Sequence, residues 1–204
     1  MSHPGPRPAL RERVATAIVE AAAGVLAERG DQASMSEVAA AAGVARATVY
    51  RYFPNREALL EALGRLALED AGDRLAGARL GEVPVGEGLE RAVRAFVTVG
   101  DSFVVLARDH ARPEGGDFDE RVRAPVRDLL ARGQRLGEIR DDVPAAWLAE
   151  ALFGLVVSVI GSRPALGTED TIAAVSSVFL DGAGARGHAM RTADDAIARH
   201  GGSA

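Results

Sequence analysis

The chain has neither cysteine nor lysine among its 204 residues. Without cysteine there is no disulfide framework, no thiolate metal site and no thiol nucleophile, and a reducing cytoplasm fits. Without lysine, all 24 basic side chains are arginine, set against 29 acidic ones for a net charge of −5. A chain of that sign is not marked for nucleic acid by overall charge. Aromatics are scarce, with one tryptophan and two tyrosines. The histidines, at positions 3, 110, 188 and 200, are too scattered to suggest a metal cluster. Adjacent carboxylates such as Asp141 and Asp142 have no base or nucleophile at a useful spacing, and no glycine-rich loop follows a strand, so an enzyme is not expected. No cofactor is expected either. The most apolar stretch, Ala145 to Ile160, falls short of the roughly 20 residues of a membrane span and is interrupted by Glu150. Residues 1–9 carry too many prolines for a helix and lack a signal peptide's apolar run, so they read as a flexible arm.

What is present centres on Ser34 to Leu60. Ser34 and Glu37 have capping-box spacing, which predicts a helix start. Val38, Ala39 and Ala42 continue at helical spacing, and Gly43 supplies the left-handed residue that closes the helix. A second helix begins near Ala45 or Arg46 and must stop by Phe53, because Pro54 disfavours helical geometry before it. Val44, Val49 and Phe53 are its buried candidates. Arg46, Ala47, Thr48, Tyr50, Arg51 and Tyr52 then face outward with no acid among them. Such a face suits a polyanion, and a helix of this size fits the major groove of B-DNA. Arg46 is the candidate for base reading, since a guanidinium can donate to guanine O6 and N7 together. Tyr50, Tyr52 and Thr48 are candidates for phosphate, as is Arg56 just beyond, with Ser36 and Ala47 completing the DNA-facing set. Residues 1–60 hold seven arginines and six acids, so the excess negative charge lies in the remainder. The pattern alone also suits an ordinary three-helix packing unit whose polar residues face water.

The run AAAAGVARATVYRYFPNREALL closely resembles the DNA-binding domain of TetR-type transcriptional regulators. The likeness extends upstream through Ile18, Ala22, Leu26, Gly30 and Ser34. It departs at Ala45, where the family often has serine; alanine caps worse by about 1 kcal/mol. The resemblance implies an all-α fold with an N-terminal three-helix helix-turn-helix domain and a C-terminal helical domain for effector binding and dimerisation. The expected boundaries are 10–54 for the first, 55–184 for the second and 185–204 for a mobile tail.

Beyond Pro54 the leucine spacing predicts a long helix from Asn55 to about Ala76, a loop from Gly77 to Gly88, and a helix from Leu89 to about His110. Pro125 is expected to divide a short helix near Phe118 to Arg123 from a longer one ending at Arg135. Two apolar helices follow, Ala145 to Ile160 and Thr168 to Leu180. The resemblance implies that these last two pair with their mates in a homodimer, with Ala151, Gly154, Leu155, Ser158, Ile172, Val175 and Phe179 as interface candidates. It also implies a double-stranded DNA operator and a small-molecule effector, for which Phe96, Phe103, His110, Trp147 and Phe153 are candidate contacts. The expected activity is a repressor on a near-palindromic operator, released by its effector. A non-specific architectural DNA binder and a small helical enzyme are the alternatives.

Overall fold

A computed structural model describes residues 6–107, 116–162 and 166–184. Within them lie nine α-helices and no strand beyond one isolated bridge between Ile139 and Gly184. In order they are α1 (Pro6–Arg29), α2 (Met35–Ala41), α3 (Arg46–Tyr52), α4 (Arg56–Ala78), α5 (Val85–Val99), α6 (Asp101–Ala107), α7 (Ala124–Arg135), α8 (Ala145–Gly161) and α9 (Thr168–Ala183). Contacts divide the chain into two units, Met1–Ala71 with Val99–Phe118, and Gly72–Thr98 with Asp119–Ala204.

In the first unit α1 packs on α2 and α6, and α2 packs on α3. The apolar stripe of α1 supplies Ile18, Val19, Ala22 and Leu26, all buried, and α6 adds Phe103, Val104 and Leu106. Helix α1 starts at Pro6, inside the stretch 1–9 expected to be a flexible arm. Proline disrupts a helix chiefly by lacking an amide for the carbonyl four residues back. In the first turn no such carbonyl partner exists, so Pro6 and Pro8 are tolerated there.

In the second unit the buried faces of α5, α7, α8 and α9 meet. Phe96 and Phe153 pack edge to face with ring centroids 5.3 Å apart, joined in the core by Leu89, Leu130, Leu152 and Ile172. Three expectations change here. The loop before α5 is only residues 79–84, since α5 begins at Val85 and takes in two glycines. Gly88 is a packing feature inside the helix, because a Cβ there would come within 2.8 Å of Leu129 Cδ1. The loop itself is clamped by Arg132, whose guanidinium donates to the carbonyls of Leu80, Gly81 and Val83 at 2.9, 3.1 and 2.6 Å.

The single helix expected from Leu89 to His110 is two. Gly100, at φ 64°, adopts the left-handed geometry that ends α5, and α6 restarts at Asp101. Pro125 does not divide its segment. The chain passes through a π-helical turn, Asp119–Arg123, straight into α7, with the proline inside α7's first turn. A wide turn accommodates a residue that cannot donate an amide.

Candidate nucleic-acid interface

Ser34 opens α2 with the complete capping box. Its hydroxyl accepts from the Glu37 amide at 3.2 Å, and its own amide donates to the Glu37 carboxylate at 2.8 Å. Arg29, the last residue of α1, closes an ion pair on the same carboxylate. The Ser34 amide first, then its hydroxyl and Arg29, hold the Glu37 carboxyl below its ordinary value of 4.5. A carboxyl depressed in the folded chain stabilises it above the unfolded value, and that contribution disappears as pH falls through the folded one. Acid titration of thermal unfolding is therefore expected to show a fall in stability below about pH 4.5 that Glu37→Ala flattens. An identical pH profile in the variant would remove this clamp from the account.

Gly43, at φ 65°, then turns the chain, with the Val44 amide returning to the Ala39 carbonyl at 3.0 Å. Helix α3 follows from Ala45, which makes no side-chain cap, as an alanine must. Val49 is fully buried and Phe53 nearly so, which fixes the rotation of the helix. Residues at the complementary positions consequently turn outward: Arg46, Ala47, Tyr50 and Arg51 are exposed, Thr48 and Tyr52 half-buried. Ser36 is exposed on α2.

The arginines on this face are held by tyrosines. The Arg46 guanidinium lies 5.3 Å from the Tyr50 ring centroid and donates to the Tyr50 hydroxyl at 3.3 Å. That hydroxyl keeps its own proton for another acceptor. Tyr52 has two guanidinium carbons near its ring centroid, Arg51 at 5.4 Å and Arg11 of α1 at 5.9 Å. No local sequence signal points to Arg11. Forty-one positions separate it from Tyr52, and no spacing rule connects a first-helix arginine to a third-helix ring.

Arg56 is placed differently from the phosphate role expected of it. Its guanidinium donates to the Gly30 carbonyl at 2.8 Å and lies 3.7 Å from Asp31, tying the start of α4 to the turn after α1. Asn55 caps α4 through its side chain, accepting from the Ala58 amide at 2.7 Å.

The effector candidates do not form one site. Phe96 and Phe153 are spent on each other in the second unit's core, whereas Phe103 is buried in α6 of the first. Trp147 is 62% exposed on the outside of α8, and His110 lies outside the described residues. The second unit instead has a cleft of about 590 Å³ between the end of α4 and α7, with Leu75, Leu80, Pro125 and Leu129 among its lining and arginines 121 and 132 beside them. None of Phe96, Trp147 and Phe153 lines it.

The interface candidates also separate. Gly154 and Ser158 are exposed on α8, and Ala151 and Leu155 partly so, on the side that carries Trp147. Ile172, Val175 and Phe179 are instead 2, 3 and 7% exposed and fill their own unit's core. With Ile172, Val175 and Phe179 turned inward, the open face of α9 includes Ala173, Ala174, Ser177, Val178 and Asp181. Apolar character alone named the inward residues, and only their phase relative to α8 tells inside from outside. No group of three or more potential metal-ligating side chains occurs among the described residues. Nor is any described helix long and apolar enough to cross a membrane.

Residues 18–63, which contain the capping box, the Gly43 turn and α3, match the family described as bacterial regulatory proteins, tetR family. The chain is 38% identical over 159 residues to the HTH-type transcriptional repressor LfrR of Mycolicibacterium smegmatis, covering 76% of this chain and 82% of that protein. It is 26% identical over 180 residues to the HTH-type transcriptional regulator NfxB of Pseudomonas aeruginosa, covering 81% of this chain and 92% of the relative. The crystal structure of LfrR from Mycobacterium smegmatis in complex with proflavine superposes with a TM-score of 0.64 at 25% identity, over 83% of this chain and 96% of that one. A helix-turn-helix with an acid-free outer face, followed by a second helical unit, thus stands beside matches in both sequence and fold: the chain belongs to the TetR family of transcriptional regulators.

Proposed function

We propose that the protein is a homodimeric repressor that reads a near-palindromic operator with α3 and is released by a small molecule bound in the second unit. The observation that carries this reading is the outer face of α3. Two exposed arginines and a phenol sit on seven residues, no carboxylate shares the helix, and a buried valine holds the face outward. In a major groove the first of those arginines can reach a guanine edge, and the tyrosine hydroxyl can donate to phosphate.

Dimerisation is supported by the unpartnered outer side of α8 and α9. Trp147 and Val178 are each 62% exposed, and Gly154 and Ser158 would let a second helix approach closely. A two-fold pair sets two reading helices about one DNA turn, roughly 34–36 Å, apart. The cleft near α7 is of a size that takes small ligands, and the repressor LfrR has been seen with a small molecule, proflavine.

Binding-site selection from a random duplex pool tests the proposal. The expected result is an inverted repeat whose half-sites lie one turn apart, bound more weakly once an effector is added. Equal competition by scrambled duplex at fixed salt would favour a non-specific architectural binder instead. Tyr50→Phe keeps the ring beneath Arg46 but removes the phosphate donor. It is therefore expected to weaken selected and scrambled duplexes alike, by a few-fold. A change in the preferred base would count against that assignment, and titrations on both duplexes decide it.

A further inference from the structure

We infer that Arg11, Arg51 and Tyr52 together form a seat for one DNA phosphate, so that the first helix as well as the reading helix grips the duplex. This rests on the reading of α3 proposed above, and adds a contact that lies outside the base-reading residues. The structural basis is the convergence of two guanidinium groups on one ring, at 5.4 and 5.9 Å from its centroid. Both arginines are exposed, and neither forms an ion pair with a carboxylate among the described residues. Two other arginines of the same unit are already engaged by protein groups. Arg29 pairs with Glu37, and Arg56 is held by Gly30 and Asp31.

Two like charges drawn to one ring and left without a counter-charge repel each other, and the ring's negative face offsets that only in part. An oxyanion would remove the repulsion. Each guanidinium presents a fork of donors suited to phosphate oxygens, and the Tyr52 hydroxyl can add a third donor. The ligand is a nucleic-acid phosphodiester, not a free anion, because the seat shares α3 with Arg46 and Tyr50 and one duplex can touch both. Tyr52 is then a positioning residue as well as a donor, since its ring brings Arg11 of α1 beside α3.

The test uses the full-length protein and two duplexes, the one recovered by selection and its scrambled counterpart, titrated across a range of salt concentrations. Arg11→Ala is expected to lower affinity for both by a similar factor, about 3- to 10-fold per subunit near 0.1 M salt, and to reduce the slope of log K against log salt by about 1 per subunit, about 2 for the dimer. Tyr52→Phe, which keeps the ring, should retain the effect of Arg11→Ala, whereas in Tyr52→Leu that effect should shrink. Arg11 is exposed, so its variant is expected to stay folded, and unchanged thermal unfolding confirms this. Unchanged affinity and salt slope in Arg11→Ala would overturn the phosphate seat. So would a loss confined to the selected duplex, which would mean base reading. If the selected duplex still responds to Arg46→Ala while Arg11→Ala does nothing, the seat fails alone. If the parent chain prefers no duplex sequence at all, the reading of α3 fails first.

Discussion

Arg46→Ala is expected to cost about 1 to 3 kcal/mol of operator affinity per reading helix and to relax the preference at one base pair in each half-site. In the proposed dimer two copies would read the operator at sites far apart, so the losses should add to about 2 to 6 kcal/mol. The size follows from what the side chain does. Bidentate donation to guanine is available to no other exposed residue of α3 at that end of the helix. The Tyr50 ring holds the guanidinium in place before DNA arrives, which lowers the entropy lost on binding. Arg46→Lys keeps the charge but not the fork, and should recover affinity without recovering the base preference. Equilibrium titration of each variant on the selected duplex and on single-base changes of it gives both quantities. Full affinity with an unchanged preference in Arg46→Ala would assign base reading elsewhere.

Phe96→Ala is expected to destabilise the chain by about 3 to 5 kcal/mol in urea unfolding, the range for deleting a buried phenylalanine. Phe96 is completely buried and meets Phe153 edge to face, so its loss removes both apolar burial and a ring contact that small neighbours cannot replace. The same substitution at exposed Trp147 should leave the subunit's own stability nearly unchanged. It should instead weaken dimerisation, measured by sedimentation. A large loss of subunit stability at Trp147 with none at Phe96 would invert the assignment of core and surface on α5 and α8.

These two residues also show how far the sequence could be read. The helix-turn-helix was legible because its signals are local: a serine three residues before a glutamate, a glycine at a bend and a proline at a stop each act within one turn of themselves. Val49 and Phe53 followed from helical phase alone. Phase was not enough in the second unit, where α8 and α9 are apolar nearly all round. There Trp147, Ile172 and Phe179 look alike in the sequence, and only packing shows that Trp147 points out while the other two point in. Proline and glycine misled in the opposite way. Pro6, Pro8 and Pro125 sit where a missing amide does little harm, and Gly88 serves close packing, whereas Gly100 breaks a helix that hydrophobic spacing joins. The bond from Arg56 to Gly30 and the approach of Arg11 to Tyr52 are tertiary facts with no local signal at all.

The central claim is that Arg46 meets a guanine in the major groove, and methylation protection at guanine N7 addresses that atom directly. With the selected duplex, the native protein is expected to shield one guanine in each half-site, symmetrically, and Arg46→Ala to expose both while phosphate contacts hold the variant on the DNA at low salt. Identical protection by the two proteins, or no protected guanine under the native one, would contradict it.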